Sequence, residues 1–171
     1  MKKIFYLFIF AFFIALSFQG NCQYNMVPNP SFEVYDTCPH SFAQLRYCPP
    51  WNTPLNTTPD YNNSCDTGFQ TGFIAGVPNN FHGFQYARSG NGYAGIATYS
   101  HNLSNPTNYR EYLQVPLLDS MINGVEYFLR FYVSPGDSCR YVSNTMGVFF
   151  SNITIDKNEY MHKSISIFRD R

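Results

Sequence analysis

Few side chains in this chain are of a type and spacing that could do chemistry. Carboxylates stand at Glu33, Asp36, Asp60 and Glu111. Glycoside hydrolysis needs two of them facing a sugar about 5 to 9.5 Å apart, and nothing in the spacing pairs any two. The histidines, His40, His82, His101 and His162, fall in unrelated segments without metal-ligand spacing, so each reads as a solvated loop residue. Gly-x-Ser-x-Gly is absent, which removes the nucleophile elbow of serine hydrolases. Ser89-Gly90-Asn91-Gly92 is a tight turn between strands rather than a phosphate loop, because Asn-Gly is a preferred hairpin turn. Arg110 and Glu111 are neighbours on an expected strand and therefore point to opposite faces. The chain is expected not to be an enzyme.

Recognition is better supplied than catalysis. Aromatic rings at Trp51, Tyr61, Phe81, Phe84 and Tyr86 lie among Asn, Gln and Arg. Flat rings stack on sugar faces while amides and guanidinium groups bond hydroxyls. Trp51, Tyr61, Tyr86, Arg88 and Arg110 form the candidate ligand-binding set, and Phe81 and Phe84 are read as core. The chain has 11 Lys and Arg against 11 Asp and Glu, so a net charge of +0 gives nucleic acid or an anionic membrane no electrostatic handle.

The elements that must position these residues are strands. From Cys38 to Asn80 the chain is dense in Pro, Asn, Thr, Ser and Gly, all loop builders. Beyond residue 80, short runs of β-branched and aromatic residues alternate with Gly and Pro. Tyr93–Tyr99, Tyr109–Val115, Glu126–Val133 and Met146–Ser151 are the expected strands, and Glu126–Val133 alternates best, with Tyr127, Leu129, Phe131 and Val133 on one face. Val27-Pro28-Asn29-Pro30-Ser31-Phe32-Glu33 is read as a first strand. No 3.6-residue apolar period runs through these segments, and the fold class is all-β, a β-sandwich or jelly roll.

Lys2 and Lys3 precede an apolar run from Ile4 to Leu16, the pattern of a secretory signal. The run falls short of the about 20 residues that cross a bilayer, so an integral span after cleavage is not expected. Cleavage after Cys22 makes 1–22 the signal and Gln23 the mature terminus. An uncleaved anchor, or a lipoprotein acylated at Cys22, is the alternative. Residues 23–151 form one domain and 152–171 a tail. The remaining cysteines, Cys38, Cys48, Cys65 and Cys139, admit three pairings in an oxidising compartment. Cys38–Cys65 with Cys48–Cys139 is the pairing adopted.

Val27–Glu33 resembles the opening of galactose-binding-like jelly rolls. Thr58-Pro59-Asp60-Tyr61-Asn62, Val77–Arg88, Gly95-Ile96 and Tyr109–Val115 are similar, in the same order, to the N-terminal module of secreted and OmpA-like envelope proteins in bacteria with type nine secretion and gliding motility. The resemblance implies export across the inner membrane to the periplasm, outer membrane or cell surface. It implies a non-catalytic module that binds glycan or an envelope protein, or one that only positions a downstream domain; a glycoside-active hydrolase is a further alternative. In such jelly rolls the acidic residue after the first-strand Phe, here Glu33, helps hold a structural calcium ion. Similar modules continue for several strands past Val148-Phe149-Phe150, so a C-terminally truncated copy is expected, unless Ile165-Ser166-Ile167-Phe168 supplies a final strand.

Overall fold

The computed structural model describes residues 24–155 apart from 55, 69–71, 73, 103–104, 140–142 and 144–145, and leaves the side chains of 100–102 and 105–108 undescribed. The expected signal, the cleavage point, the side chain of His101, His162 and the tail from 156 onward lie outside the described residues.

The described chain is all-β with one 3₁₀ turn at Leu45–Tyr47. Its strands are β1 (Asp60–Asn63), β2 (Asn79–Asn80), β3 (Gly83–Phe84), β4 (Gly92–Gly95), β5 (Ser100–Asn102) and β6 (Asn105–Tyr109). They form three antiparallel pairs, β1 with β4, β2 with β3 and β5 with β6. In the first pair Asp60 faces Gly95 and Asn63 faces Gly92, and a single bridge joins Asn52 to Gln114.

Val27–Glu33 is not a strand. Asn29-Pro30-Ser31-Phe32 closes a β-turn through Phe32 N–H to Asn29 C=O at 3.2 Å, with Pro presetting φ at the second position. The Asn29 side chain then imitates a strand neighbour. Its Oδ1 accepts from Val34 N–H at 3.0 Å, and its Nδ2 donates to Val34 C=O at 2.8 Å and Pro49 C=O at 3.0 Å. Phe32 sits at φ 60°, a conformation uncommon for a bulky residue, and is held there from several sides. Its ring stacks on Trp51 at 4.8 Å, its carbonyl accepts from the Tyr61 hydroxyl at 2.8 Å, and the Trp51 indole N–H donates to Asn29 C=O at 2.8 Å.

Alternation along β1 sends Tyr61 and Asn63 toward this knot and Asp60 and Asn62 the other way. Tyr61 is wholly buried, and Asn63 Nδ2 donates to its hydroxyl at 2.8 Å. The interior combines Leu45, Cys48, Tyr61 and Ala75 with Gln44, Asn62, Asn63, Asp66 and Glu111. Buried polar groups need partners, and most of these have them. Gln44 Oε1 accepts from His40 and Ser41 N–H, and the Asp66 carboxylate accepts from Gly68 and Ala75 N–H. Glu111 Oε1 accepts from Thr58 N–H at 3.1 Å, the Thr58 hydroxyl at 2.8 Å and the Tyr109 hydroxyl at 2.8 Å, and Oε2 from Ala97 N–H at 2.8 Å. Only Asn62 Nδ2 among the described buried side-chain atoms is unpartnered.

Cys38 and Cys65 form a disulfide across 27 positions, tying the loop before the 3₁₀ turn to the end of β1. The expected Cys48–Cys139 bond is not present: Cys48 is buried and Cys139 exposed. Asn29 Nδ2 donates to Cys48 Sγ at 3.3 Å and the thiol donates to Val34 C=O at 3.4 Å, so Cys48 belongs to the knot. Burial pushes its pKa up to about 11.

The expected strands are shortened or unpaired. β4 begins one residue before Tyr93 and stops at Gly95, and β6 ends at Tyr109, the first residue of the expected Tyr109–Val115 strand, leaving Gln114 as the one bridged residue beyond it in that run. Glu126–Val133 and the Met146–Ser151 run make no ladder among the described residues, and Phe128, Phe131, Tyr132, Val133, Val148, Phe149 and Phe150 are exposed. A period of two marks a chain able to line a sheet; hydrogen-bonding neighbours make it a strand.

Candidate functional site

The β2–β3 hairpin is built by Asn80. Its Oδ1 accepts from His82 N–H at 2.9 Å, closing an Asx turn over Phe81, while Nδ2 donates to Gly76 C=O at 3.1 Å and to the Tyr93 hydroxyl. The Tyr93 hydroxyl has its pKa raised by burial beneath the hairpin. Gly83 takes φ 127°, and a Cβ there would lie 2.6 Å from Asp137 Oδ2. Glycine therefore lets Asp137 approach close enough to accept from Phe84 N–H at 2.8 Å. Ser134 Oγ donates to Gln85 Oε1 at 2.6 Å, so the 134–137 segment lies along the hairpin.

His82 and Asp60 meet behind the turn. Their Nε2 and Oδ2 atoms are 3.0 Å apart, and Asp60 Oδ1 accepts from Ala43 N–H at 2.7 Å. The imidazole pKa is raised from 6.5, chiefly by the hydrogen bond to Asp60, against the opposing effect of burial. Asp60 shares the β1 face of Asn62, whose amide lies beside Gly95: a Cβ there would be 3.5 Å from both Asn62 Nδ2 and Asp60 Cβ. An acid, an imidazole and a buried amide donor thus come from β1 and the hairpin tip.

Aromatic rings follow along the hairpin and its flanks. Phe42 and Phe81 meet edge to face at 4.8 Å, and Phe81 meets the His82 ring at 5.6 Å. Phe84 and Tyr86 meet edge to face at 5.2 Å, and the Arg88 guanidinium lies 4.5 Å over the Tyr132 ring. Hydrogen bonding from Arg88 lowers the Tyr132 hydroxyl pKa. Phe81 and Tyr86 are 64% and 65% exposed, and Phe42, Phe84 and Tyr132 are exposed too. Such exposure is costly for rings with no partner, and the edge-to-face pairs preorganise them.

Of the residues expected to bind ligand, Tyr86 and Arg88 lie on this surface. Tyr61 does not, being sealed beneath the Asn29–Phe32 turn with its hydroxyl spent on Phe32. Trp51 stacks on Phe32 in the same knot and spends its indole N–H on Asn29. Arg110 is half-buried beyond β6. Glu33, which the resemblance implies as a calcium ligand, accepts from Asn91 N–H at 2.6 Å, Gly92 N–H at 3.0 Å and Asn91 Nδ2 at 3.2 Å. Both its oxygens face N–H donors, and Gly90, at φ 68°, lies against the carboxylate. The Ser89–Gly92 turn is therefore a carboxylate cradle leading into β4. Among the described residues no three His, Cys, Asp or Glu side chains converge as a metal site.

Phe81 and Phe84 reverse their expected place in the core, and His82 is held by Asp60 while its side chain stays partly exposed. The local signal for both was Asn80-Phe81-His82-Gly83-Phe84: an Asx turn with glycine after its tip projects the flanking rings outward. No helix among the described residues is long and apolar enough to cross a membrane. Compared with family models, curated proteins and solved structures, the chain matches none.

Proposed function

We propose that this chain is a non-catalytic recognition module, exported across the inner membrane to the cell envelope or surface, that binds carbohydrate on the β2–β3 hairpin face. One observation carries the reading: exposed rings at Phe81, Phe84 and Tyr86 lie on or just after the β2–β3 hairpin, with Phe42 against Phe81 and Phe81 against the ring of His82, which pairs with Asp60. Apolar ring faces take the C–H faces of a sugar, and the paired acid and imidazole take its hydroxyls in a fixed direction. The Cys38–Cys65 bond supports an oxidising compartment. The all-β pairing supports a sandwich of the galactose-binding-like jelly-roll kind, and the ordered motifs support a place among envelope modules that accompany OmpA-like domains.

Affinity electrophoresis through gels containing soluble polysaccharides, followed by a glycan array, tests this reading. Retardation by at least one glycan, abolished by Tyr86→Ala and weakened by Arg88→Ala, is the expected result. No retardation across neutral, acidic and amino-sugar polymers sinks the carbohydrate reading.

A second reading, that the module positions a neighbouring envelope domain, draws on the exposed apolar runs at Glu126–Val133 and Met146–Ser151. Substituting Phe128 and Phe149 by Ser would then abolish domain association while leaving glycan binding intact.

A further inference from the structure

Two guanidinium groups converge on one exposed phenol beyond the hairpin. Phe84 N–H donates to Asp137 Oδ2, Ser134 Oγ donates to Gln85 Oε1, and the Arg88 guanidinium lies 4.5 Å over the Tyr132 ring. Positions rise from Phe84 to Arg88 as their partners fall from Asp137 to Tyr132, so the two segments run antiparallel and Tyr132 is carried to Arg88. Arg130 lies 5.3 Å over the Phe128 ring, two positions away, and the same spacing places Tyr132 on that side of an extended chain. Hydrogen bonding from Arg88, and then from Arg130, lowers the Tyr132 hydroxyl pKa from 10.0. Among the described residues no carboxylate lies within ion-pairing distance of either guanidinium, and Asp137 is turned to the Phe84 N–H. Arg46 makes a contrast: it lies 4.7 Å over Tyr47, but its N–H groups are spent on Ala43 C=O and the Tyr47 hydroxyl.

Like charges brought together without a counter-charge repel, and an anion between them reverses the sign of that interaction. A guanidinium offers its N–H groups as a planar fork that fits two oxygens of a carboxylate or sulfate. The Tyr132 oxygen accepts from the guanidinium groups, which leaves its own O–H to donate to a third partner. On the neighbouring segment Phe84 and Tyr86 stand exposed, edge to face at 5.2 Å, as apolar surface for a sugar ring. We propose, resting on the carbohydrate reading above, that Arg88, Arg130 and Tyr132 form an anion subsite beside these rings, and that the glycan bound there is acidic, carrying a carboxylate or a sulfate ester. The guanidinium forks take the anionic oxygens, and the phenol O–H supplies one further hydrogen bond.

The test runs the full chain through gels containing polygalacturonate, its fully methyl-esterified form, dextran sulfate or dextran. Each acidic polymer is thus matched by a neutral one with the same backbone, and the two pairs separate a carboxylate ligand from a sulfate. The expected result is retardation by one acidic polymer at about one-tenth the concentration its neutral match requires. Arg88→Gln and Arg130→Gln should each bring the acidic polymer down toward the level of the neutral one, and Tyr132→Phe should weaken it by a few-fold. Arg46→Gln changes the net charge equally and should leave the preference intact. Equal retardation by acidic and neutral polymers would leave the carbohydrate reading standing and overturn the anion subsite. An acidic preference unmoved in both the Arg88 and Arg130 variants, or lost equally in Arg46→Gln, would overturn it as well, as attraction of the whole molecule. Retardation by none of the polymers would overturn the subsite together with the reading beneath it.

Discussion

Glu111 is where the structure makes its sharpest energetic claim. Its carboxylate receives two backbone N–H groups, from Thr58 and Ala97, and two hydroxyls, from Thr58 and Tyr109, and so ties together the segment entering β1, the segment leaving β4 and the end of β6. The hydroxyls are the less dependent partners, since they already lie 2.9 Å apart and can bond each other. The backbone donors have no such recourse, although Thr58 is exposed enough for water to reach it. An amide in place of the carboxylate can serve only one of the two N–H groups with its remaining oxygen, whichever way it is turned. Hydrogen bonds to a charged acceptor contribute about 1.5 to 3 kcal/mol each. Glu111→Gln should therefore cost about 2 kcal/mol, and Glu111→Ala, which takes the acceptor from both donors and empties the site, about 4 kcal/mol. Equilibrium urea unfolding with the disulfide intact reads this as a lower midpoint at unchanged slope. Glu126→Gln, at an exposed carboxylate, is the control and should move stability by less than about 0.5 kcal/mol. A Glu111→Ala protein within about 1 kcal/mol of the parent would refute the argument.

Three further outcomes follow from the geometry. Gly90→Ala drives a methyl into the Glu33 carboxylate at a positive φ, and should destabilise by about 1 to 2 kcal/mol in the same assay. Replacing Cys38 and Cys65 together by serine reopens a loop of 27 positions and should cost about 3 to 4 kcal/mol on the chain-entropy relation, measured as a fall in urea midpoint. Because the folded-state pKa of His82 lies above 6.5, its pairing with Asp60 stabilises the fold fully below that pH, and the contribution fades as pH rises through the raised value. An NMR titration should show the imidazole pKa falling back in Asp60→Asn, and an unmoved value there would mean that Asp60 is not the cause.

What the sequence made legible was mostly local. Pro, Asn and Gly announced a chain of turns and short strands, and Cys38–Cys65 was the right half of the pairing. The other half failed because Cys48 is claimed by Asn29 and Val34, a contact that cysteine counting cannot weigh. Val27–Glu33 looked like a strand because Val and Phe favour one, yet Asn29-Pro30 is stronger turn chemistry and prevails. Glu126–Val133 carried the best alternation and found no partner, since pairing is settled by what lies alongside. His82 looked solvated because its acid is 22 positions upstream, brought near only when the hairpin folds over β1. The candidate site was thus half visible: Tyr86 and Arg88 from composition, the ion pair and the outward-facing phenylalanines only from the fold.

The interior described above, with Asn62, Asn63, Asp66, Gln44 and Glu111 beside a handful of apolar side chains, has a thermal consequence. Exposure of apolar surface raises the heat capacity of unfolding and exposure of polar surface lowers it. A core this rich in amides and carboxylates places the heat-capacity increment of unfolding below the usual figure of about 12 to 15 cal/mol/K per residue. The stability curve is correspondingly broad and shallow. Such a protein loses little on cooling, and its folded population varies gently across a wide span of ambient temperature.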